Sequence, residues 1–172
     1  MTWNVDTSCG FESGKIAAIA VPYLQGRALD LGCGNAKCWP TMIGMDNGHH
    51  WGRGDADIVG DCTDLSMFAD ASMDAVFSSH LLEHVEVEDV PATLAEWWRV
   101  LRVGGRLVLY LPHKDLYPNM GEPGANTDHK SDFVPDDIID SMRNVGSWTI
   151  LENEVRSGTN EYSFFQVYRK DA

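Results

Sequence analysis

Short apolar runs recur along the first 80 residues, and most of them end in an acid. They occupy residues 27–35, 43–46, 57–62 and 73–79. Runs of this length that are bounded by glycines and polar residues are typical of buried strands. The sequence therefore predicts four strands, with acidic side chains gathered where the strands end.

The rest of the chain adds helices and further strands. Residues 87–103 carry apolar side chains at spacings of three and four, which predicts one helix with Trp97 and Trp98 in the core. We predict a lead-in helix within residues 1–26 and a helix over 134–146 that begins near a proline and two acids. Three more strands are predicted, over residues 106–111, 148–155 and 162–168.

Composition and charge limit the classes of function that the protein can have. The 172 residues favour one domain spanning 1–172. The net charge of −13 repels phosphate backbones, so nucleic acid is not an expected binding partner or substrate. The four cysteines form no Cys-x-x-Cys pair, so we expect a reducing compartment, the cytoplasm. A zinc site built from Cys33, Cys38, Cys62 and either His49 or His50 is chemically possible, but its spacing matches no known zinc pattern. We see neither an export signal nor an apolar run long enough to span a membrane.

Two glycines follow the first strand, at Gly32 and Gly34. Without a Cβ they allow backbone to lie against a ligand, although such a pair also occurs in plain tight turns. Only eight residues, 35–42, separate this turn from the second strand, whereas a helical crossover takes ten or more. The first helix is therefore expected to be stunted.

Residues 28–112 resemble the class I S-adenosylmethionine-dependent methyltransferases of the small-molecule kind called type 11. The resemblance is carried by the glycine turn, the acids at the strand ends, residues 81–85 and residues 99–109. It implies an α/β fold, a doubly wound, mostly parallel seven-stranded sheet with the last strand antiparallel. S-adenosylmethionine is the cofactor that it implies.

The resemblance also implies cofactor contacts. Asp46 is expected to accept hydrogen bonds from the ribose hydroxyls, Asp61 and the Cys62 amide to meet the adenine, and Asp30 to hold the glycine turn. Ser79 and His80 would lie near the sulfonium. The full set of expected cofactor-binding residues is Asp30, Gly32, Cys33, Gly34, Asp46, Asn47, Asp61, Cys62, Ser79 and His80.

Residues 113–132, here called the insert, are rich in proline, glycine, asparagine and histidine. A structureless segment of this length in a compact domain is usually functional or disordered, and its aromatic and ionisable content favours function on the acceptor side. His113 is the preferred general base for a hydroxyl acceptor, followed by His129 and Tyr117. A divalent cation held by His113, Asp115, Asp128 and His129 is an alternative. We interpret His84 as a packing residue within a helix.

The preferred acceptor is a small molecule, a hydroxyl of a sugar or glycan precursor, because the insert resembles those of glycan-pathway methyltransferases. A quinone or another natural product is the alternative acceptor. A second possible class of function is a protein that binds the cofactor without transferring its methyl group. A nicotinamide dehydrogenase would need a glycine where the chain has Lys37. Exposed apolar residues in the closing strands would suit a homodimer, and would equally suit a core.

Overall fold

The computed structural model describes residues 12–49 and 52–172. One sheet has seven strands in the order β3-β2-β1-β4-β5-β7-β6. The strands are β1 Ala28–Leu31, β2 Ile43–Asp46, β3 Ile58–Val59, β4 Met73–Ser79, β5 Leu101–Pro112, β6 Trp148–Arg156 and β7 Ser163–Lys170. The helices are α1 Glu12–Ala20, α2 Val90–Val100 and α3 Pro135–Met142, with 3₁₀ helices at Val21–Tyr23 and Leu82–His84.

The five strands β1 to β5 run parallel, and β7 pairs antiparallel with both β5 and β6. The predicted α/β class, the mostly parallel seven-stranded sheet and its antiparallel last strand are thus confirmed. Because parallel strands point the same way, their carboxyl ends share one edge of the sheet. That edge carries Asp46, the last residue of β2, and Asp61, which follows β3.

Both faces of the sheet are covered by helices. Leu29 and Leu31 of β1 face one apolar cluster, which includes Trp97 of α2 and Ile138 of α3. Ala28, one position out of phase, faces the other cluster, to which Ile16 of α1 contributes. This alternation follows from the two-residue period of a strand. The predicted core positions of Trp97 and Trp98 are confirmed, since both are buried.

No helix connects β1 and β2: residues 32–42 form turns and bends without a helix. The expected stunted helix is therefore reduced to a loop. Asp30 holds this loop in place, because its buried carboxylate accepts a hydrogen bond from the backbone amide of Cys38. A single side chain thus fixes the position of a segment that has no secondary structure of its own.

Several predicted boundaries were wrong. The helix predicted over 87–103 spans Val90–Val100, and β5 already begins at Leu101, because Leu101 pairs with Met73 before a register shift in β4. The helix predicted over 134–146 ends at Met142. The lead-in helix lies at Glu12–Ala20, and residues 1–11 are outside the described part.

The insert contains turns and bends but no helix or strand. Two backbone amides, those of Lys130 and Ser131, donate to the carbonyl of Glu83, and the Ser131 hydroxyl donates to the carbonyl of Val85. These bonds hold the end of the insert against the loop that follows β4. No helix in the described residues is long and apolar enough to cross a membrane.

Candidate functional site

A cavity of about 980 Å³ lies at the carboxyl edge of the sheet. Its walls come mainly from two parts of the chain, the ends of the parallel strands and the insert. The strand-end residues are Gly32, Gly34, Met45, Asp46, Asn47, His49, Gly60, Asp61, Cys62 and His80, followed by Leu81, Glu83 and His84. The insert contributes Tyr117, Asn126, Thr127, Asp128, His129 and Lys130, while Glu12 and Tyr162 lie on the wall from the two ends of the described chain.

The turn after β1 presents backbone to the cavity. Gly32 has φ +73°, and a Cβ there would lie 3.0 Å from the side chain of Leu81. Its amide donates to the carbonyl of Met45, the residue before Asp46 at the end of β2. Glycine is needed here because a side chain would be strained and would press on the cavity floor.

Asp46 joins two loops at this corner. Its Oδ2 accepts the Gly34 amide at 3.0 Å and its Oδ1 accepts the Gly48 amide at 2.8 Å. Each carboxylate oxygen has a second lone pair, so the group keeps capacity for further hydroxyl donors. The two hydrogen bonds from backbone amides fix the carboxylate in one orientation at the carboxyl end of β2.

The turn after β3 is held by a similar device. Asp61 Oδ1 accepts both the amide and the hydroxyl of Thr63, and the carbonyl of Cys62 accepts the indole N–H of Trp97 at 2.7 Å. Burial raises the pKa of the Cys62 thiol to about 12, so the thiol stays protonated. The backbone at residues 61 and 62 is therefore a rigid part of the wall.

His80 follows β4 in the left-handed region, with φ 49°. Its ring lies 5.4 Å from that of Tyr110 and 5.7 Å from that of Tyr162, and its Nε2 lies 2.9 Å from Ser163 Oγ. Burial lowers the pKa of His80 to about 3, so the ring is neutral at physiological pH. A strained residue held on all sides is typical of functional sites.

At the other end of the cavity the insert closes over Glu83. His129 Nε2 lies 3.8 Å from Glu83 Oε1, and the His129 ring packs against those of His84 and Tyr117. Burial, followed by the charge of His84, lowers the pKa of His129, which keeps its ring neutral near pH 7. Glu12 Oε1 accepts the hydroxyl of Tyr162 at 2.7 Å nearby.

Residues 29–109 match the family model Methyltransf_11, described as a methyltransferase domain. This stretch is a methyltransferase domain. The resemblance to methyltransferases that the sequence predicted is confirmed for residues 29–109. No curated protein matches the chain at a significant level.

Solved methyltransferase structures share the fold. A protein from Archaeoglobus fulgidus, described as a SAM-dependent methyltransferase, has 16% identity and a TM-score of 0.69 over 92% of this chain and 94% of its own. The 1,6-didemethyltoxoflavin-N1-methyltransferase of Burkholderia thailandensis, solved with its acceptor and S-adenosylhomocysteine, has 17% identity and a TM-score of 0.69 over 94% and 79% of the chains. A Mesorhizobium loti methyltransferase has 18% identity and a TM-score of 0.68 over 94% and 99%.

Most of the residues predicted from the sequence to bind the cofactor lie on the cavity wall. They are Gly32, Gly34, Asp46, Asn47, Asp61, Cys62 and His80. Asp30, Cys33 and Ser79 are not among the lining residues. Asp30 instead supports the loop behind the wall, and burial raises its pKa to about 7.

The three residues predicted to be catalytic do not all line the cavity. His129 and Tyr117 line the cavity, whereas His113 does not. The His113 ring packs edge-on against Phe164, and its Nδ1 accepts the amide of Asp115 at 3.2 Å. His113 therefore sits at the root of the insert, where it shapes the backbone.

Among the wall residues with ionisable side chains, the sequence analysis did not predict Glu12, Glu83, His84 and Tyr162. His84, interpreted as a packing residue within a helix, lies in a 3₁₀ helix with its ring packed on that of His129, and it also lines the cavity. Glu83 and His84 were recognised only as part of a family-like stretch. Glu12 and Tyr162 gave no signal, since only the fold brings the two ends of the chain together.

Neither metal set considered from the sequence is assembled among the described residues. The one group of potential ligands there consists of Glu83, His84 and His129, which shares only His129 with the predicted sets. Burial also raises the pKa of the Cys33 thiol to about 12 and that of Cys38 further. His50, which entered the zinc alternative, lies outside the described residues.

Proposed function

We propose that this protein transfers the methyl group of S-adenosylmethionine to a hydroxyl of a small polar acceptor, with a sugar or glycan precursor as the preferred class. One observation carries the proposal: a single cavity is lined at one end by the strand-end residues and at the other by the insert. Its volume of about 980 Å³ lies at the upper end of the range for ligand pockets, which suits a cofactor and a small acceptor together.

The residues at the strand ends fit the cofactor. We propose that Asp46 binds the ribose hydroxyls through its remaining lone pairs, and that Asp61 and the Cys62 backbone contact the adenine. The bare backbone at Gly32 and Gly34 leaves room for the amino-acid part. When bound, S-adenosylmethionine supplies an electrophilic methyl group on a positively charged sulfur.

The insert end fits a polar acceptor better than a quinone. Among the described lining residues the aliphatic side chains are Met45 and Leu81, both at the strand end. The acceptor end instead offers Tyr117, Asn126, Thr127 and His129, whose donors and acceptors suit hydroxyl groups. Glu12 and Asp128 on the same walls disfavour a strongly anionic acceptor.

Alignment of the two substrates accounts for most of the acceleration. Effective molarities of about 10⁵–10⁸ M are available from placing reactants in line, against roughly 10²–10⁴ from a general base. His129 is neutral and faces the cavity, so we propose that it, with Tyr117, contacts the acceptor hydroxyl and can take its proton. His113 is proposed to act indirectly, by holding the root of the insert.

Calorimetric titration with S-adenosylmethionine and S-adenosylhomocysteine tests the cofactor site. Micromolar binding is expected for the native chain and for Asp140→Ala, an exposed substitution in α3, and binding should be lost in Asp46→Ala. NAD should not bind. Failure of both sulfur compounds to bind would contradict the proposal.

The second candidate class is a protein that binds the cofactor without transferring methyl, and the missing helix between β1 and β2 is the observation that favours it. A turnover assay distinguishes this class from an enzyme. S-adenosylhomocysteine release is measured with a panel of sugars, sugar alcohols and hydroxyquinones. Faster release with the sugar set supports the proposed acceptor class. Release with quinones alone would contradict it, and tight cofactor binding without turnover on any panel member favours the binding protein.

A homodimer and a cytoplasmic location stay predictions.

A further inference from the structure

Three potential metal ligands converge where the insert meets the loop after β4. Glu83, His84 and His129 each offer one ligand atom, and these atoms lie within 4.8 Å of one another. Ligands around a zinc ion at about 2.0–2.1 Å are roughly 3.3 Å apart, so side-chain adjustments of about 1.5 Å would complete the set. Two of the residues belong to a rigid 3₁₀ helix, and the third is brought there by the insert.

Glu83 is the unusual member of this group. Its side chain is fully buried, and neither carboxylate oxygen has a hydrogen-bond partner among the described residues. Oε1 lies 3.6 Å from His80 Nδ1 and 3.8 Å from His129 Nε2, and both distances are too long for hydrogen bonds. A buried carboxylate without a partner is costly, and Glu83 lines the cavity, so the position calls for a cation or a donor from a ligand.

We propose that Glu83, His84 and His129 bind a divalent first-row transition-metal ion at the acceptor end of the cavity. Two imidazoles and one carboxylate are a ligand set that suits zinc, iron, manganese or cobalt and leaves coordination positions open. The surroundings orient the imidazoles as metal sites require. His84 Nδ1 lies 3.1 Å from the carbonyl of Asp128, and Tyr117 packs on the His129 ring, so neighbouring groups hold both imidazoles in place.

An ion at this position would have two effects. It would tie the insert to the loop after β4, adding to the hydrogen bonds of Lys130 and Ser131 with Glu83. Its open positions would face the cavity, where an acceptor hydroxyl could coordinate and lose its proton more readily to water. This second consequence rests on the proposed function, and His129 would then serve as a ligand instead of accepting the proton.

Zinc titration of chelator-treated full-length protein tests the site. One Zn²⁺ per chain is expected by calorimetry, with binding weakened at least about 10-fold in Glu83→Gln and in His129→Asn. The matched control is Glu86→Gln, an exposed glutamate one turn further on. This control should bind zinc as the native chain does.

Two further measurements keep the outcome unambiguous. The ion should raise the Tm of the native chain and leave that of Glu83→Gln unchanged, which also shows that the variant folds. With Co²⁺ as the probe, the spectrum should lack thiolate charge-transfer absorption. Native affinity in Glu83→Gln and His129→Asn, absence of zinc binding, or a thiolate spectrum would overturn the proposal. S-adenosylhomocysteine titrations of the same samples report on the cofactor site separately.

Discussion

The carboxylate of Asp30 accepts a hydrogen bond from the backbone amide of Cys38, inside the apolar face that α1 covers. This contact replaces the helix that would otherwise connect β1 and β2. It also buries an ionisable group directly behind the glycine turn that faces the cofactor end of the cavity.

Removing this acceptor should destabilise the protein. In Asp30→Ala the buried Cys38 amide loses its partner, which costs about 1–3 kcal/mol. Asp30→Asn keeps an oxygen acceptor and is the matched control. Denaturant unfolding at pH 8 should place Asp30→Ala well below the native chain and Asp30→Asn close to it or above it; equal losses in both variants would contradict the role of the hydrogen bond.

Asp30 should also make stability depend on pH. Burial raises its pKa in the folded state from 3.8 to about 7, so between these values the folded protein holds a proton that the unfolded chain has released. The contribution of Asp30 to the free energy of unfolding is therefore greatest below pH 4 and falls as pH rises to about 7. The difference in unfolding free energy between Asp30→Asn and the native chain should grow across this window, and a constant difference would show that Asp30 titrates normally.

Gly32 should be required for cofactor binding as well as for the turn. Gly32→Ala forces a side chain into φ +73° and against Leu81, whereas Gly121→Ala imposes a similar φ of +81° where a Cβ meets nothing within 4 Å. Both variants should lose about 1–2 kcal/mol from backbone strain. Only Gly32→Ala should also weaken S-adenosylhomocysteine binding, and equal calorimetric affinities in the two variants would contradict this.

The charge of the walls should favour the sulfonium form of the cofactor. Glu12, Asp46, Asp61 and Asp128 line the cavity, with Lys130 as the lining cation among the described residues. S-adenosylmethionine carries a positive charge that S-adenosylhomocysteine lacks, so salt should weaken its binding more. Between about 0.05 and 0.5 M salt we expect the ratio of the two Kd values to change about threefold. A ratio independent of salt would contradict this effect.

The Ser131 hydroxyl should help to hold the insert closed. In Ser131→Ala the carbonyl of Val85 loses a buried partner, at a cost of about 1–2 kcal/mol. Hydrogen exchange should become faster across the insert and at the amides of residues 130 and 131. Ser141→Ala removes a comparable but exposed hydroxyl bond in α3 and should leave the insert unchanged; unchanged exchange in Ser131→Ala would show that the backbone bonds suffice.

Patterns within short stretches of sequence predicted the parts of the fold that local physics controls. Apolar runs that end in Asp46 and Asp61 indicated strands with acids at their ends, and Gly32 marked a turn that needs positive φ. The helix predicted to end at residue 103 was too long. An apolar residue such as Leu101 suits a helix and a strand equally well, and only its pairing with Met73 places it in the strand.

The resemblance to methyltransferases added the family, which the family comparison confirmed, and the cofactor contacts, which stay predictions. By itself the sequence determined the strands, the glycine turn, the negative charge and the polar character of the insert, because each depends on residues close together in the chain. Only the tertiary structure decided that Glu83 lies 3.8 Å from His129, that Glu12 meets Tyr162, and that His113 stays off the cavity wall. Such contacts depend on how loops dock and on which side chains become buried, and residue spacing does not encode either.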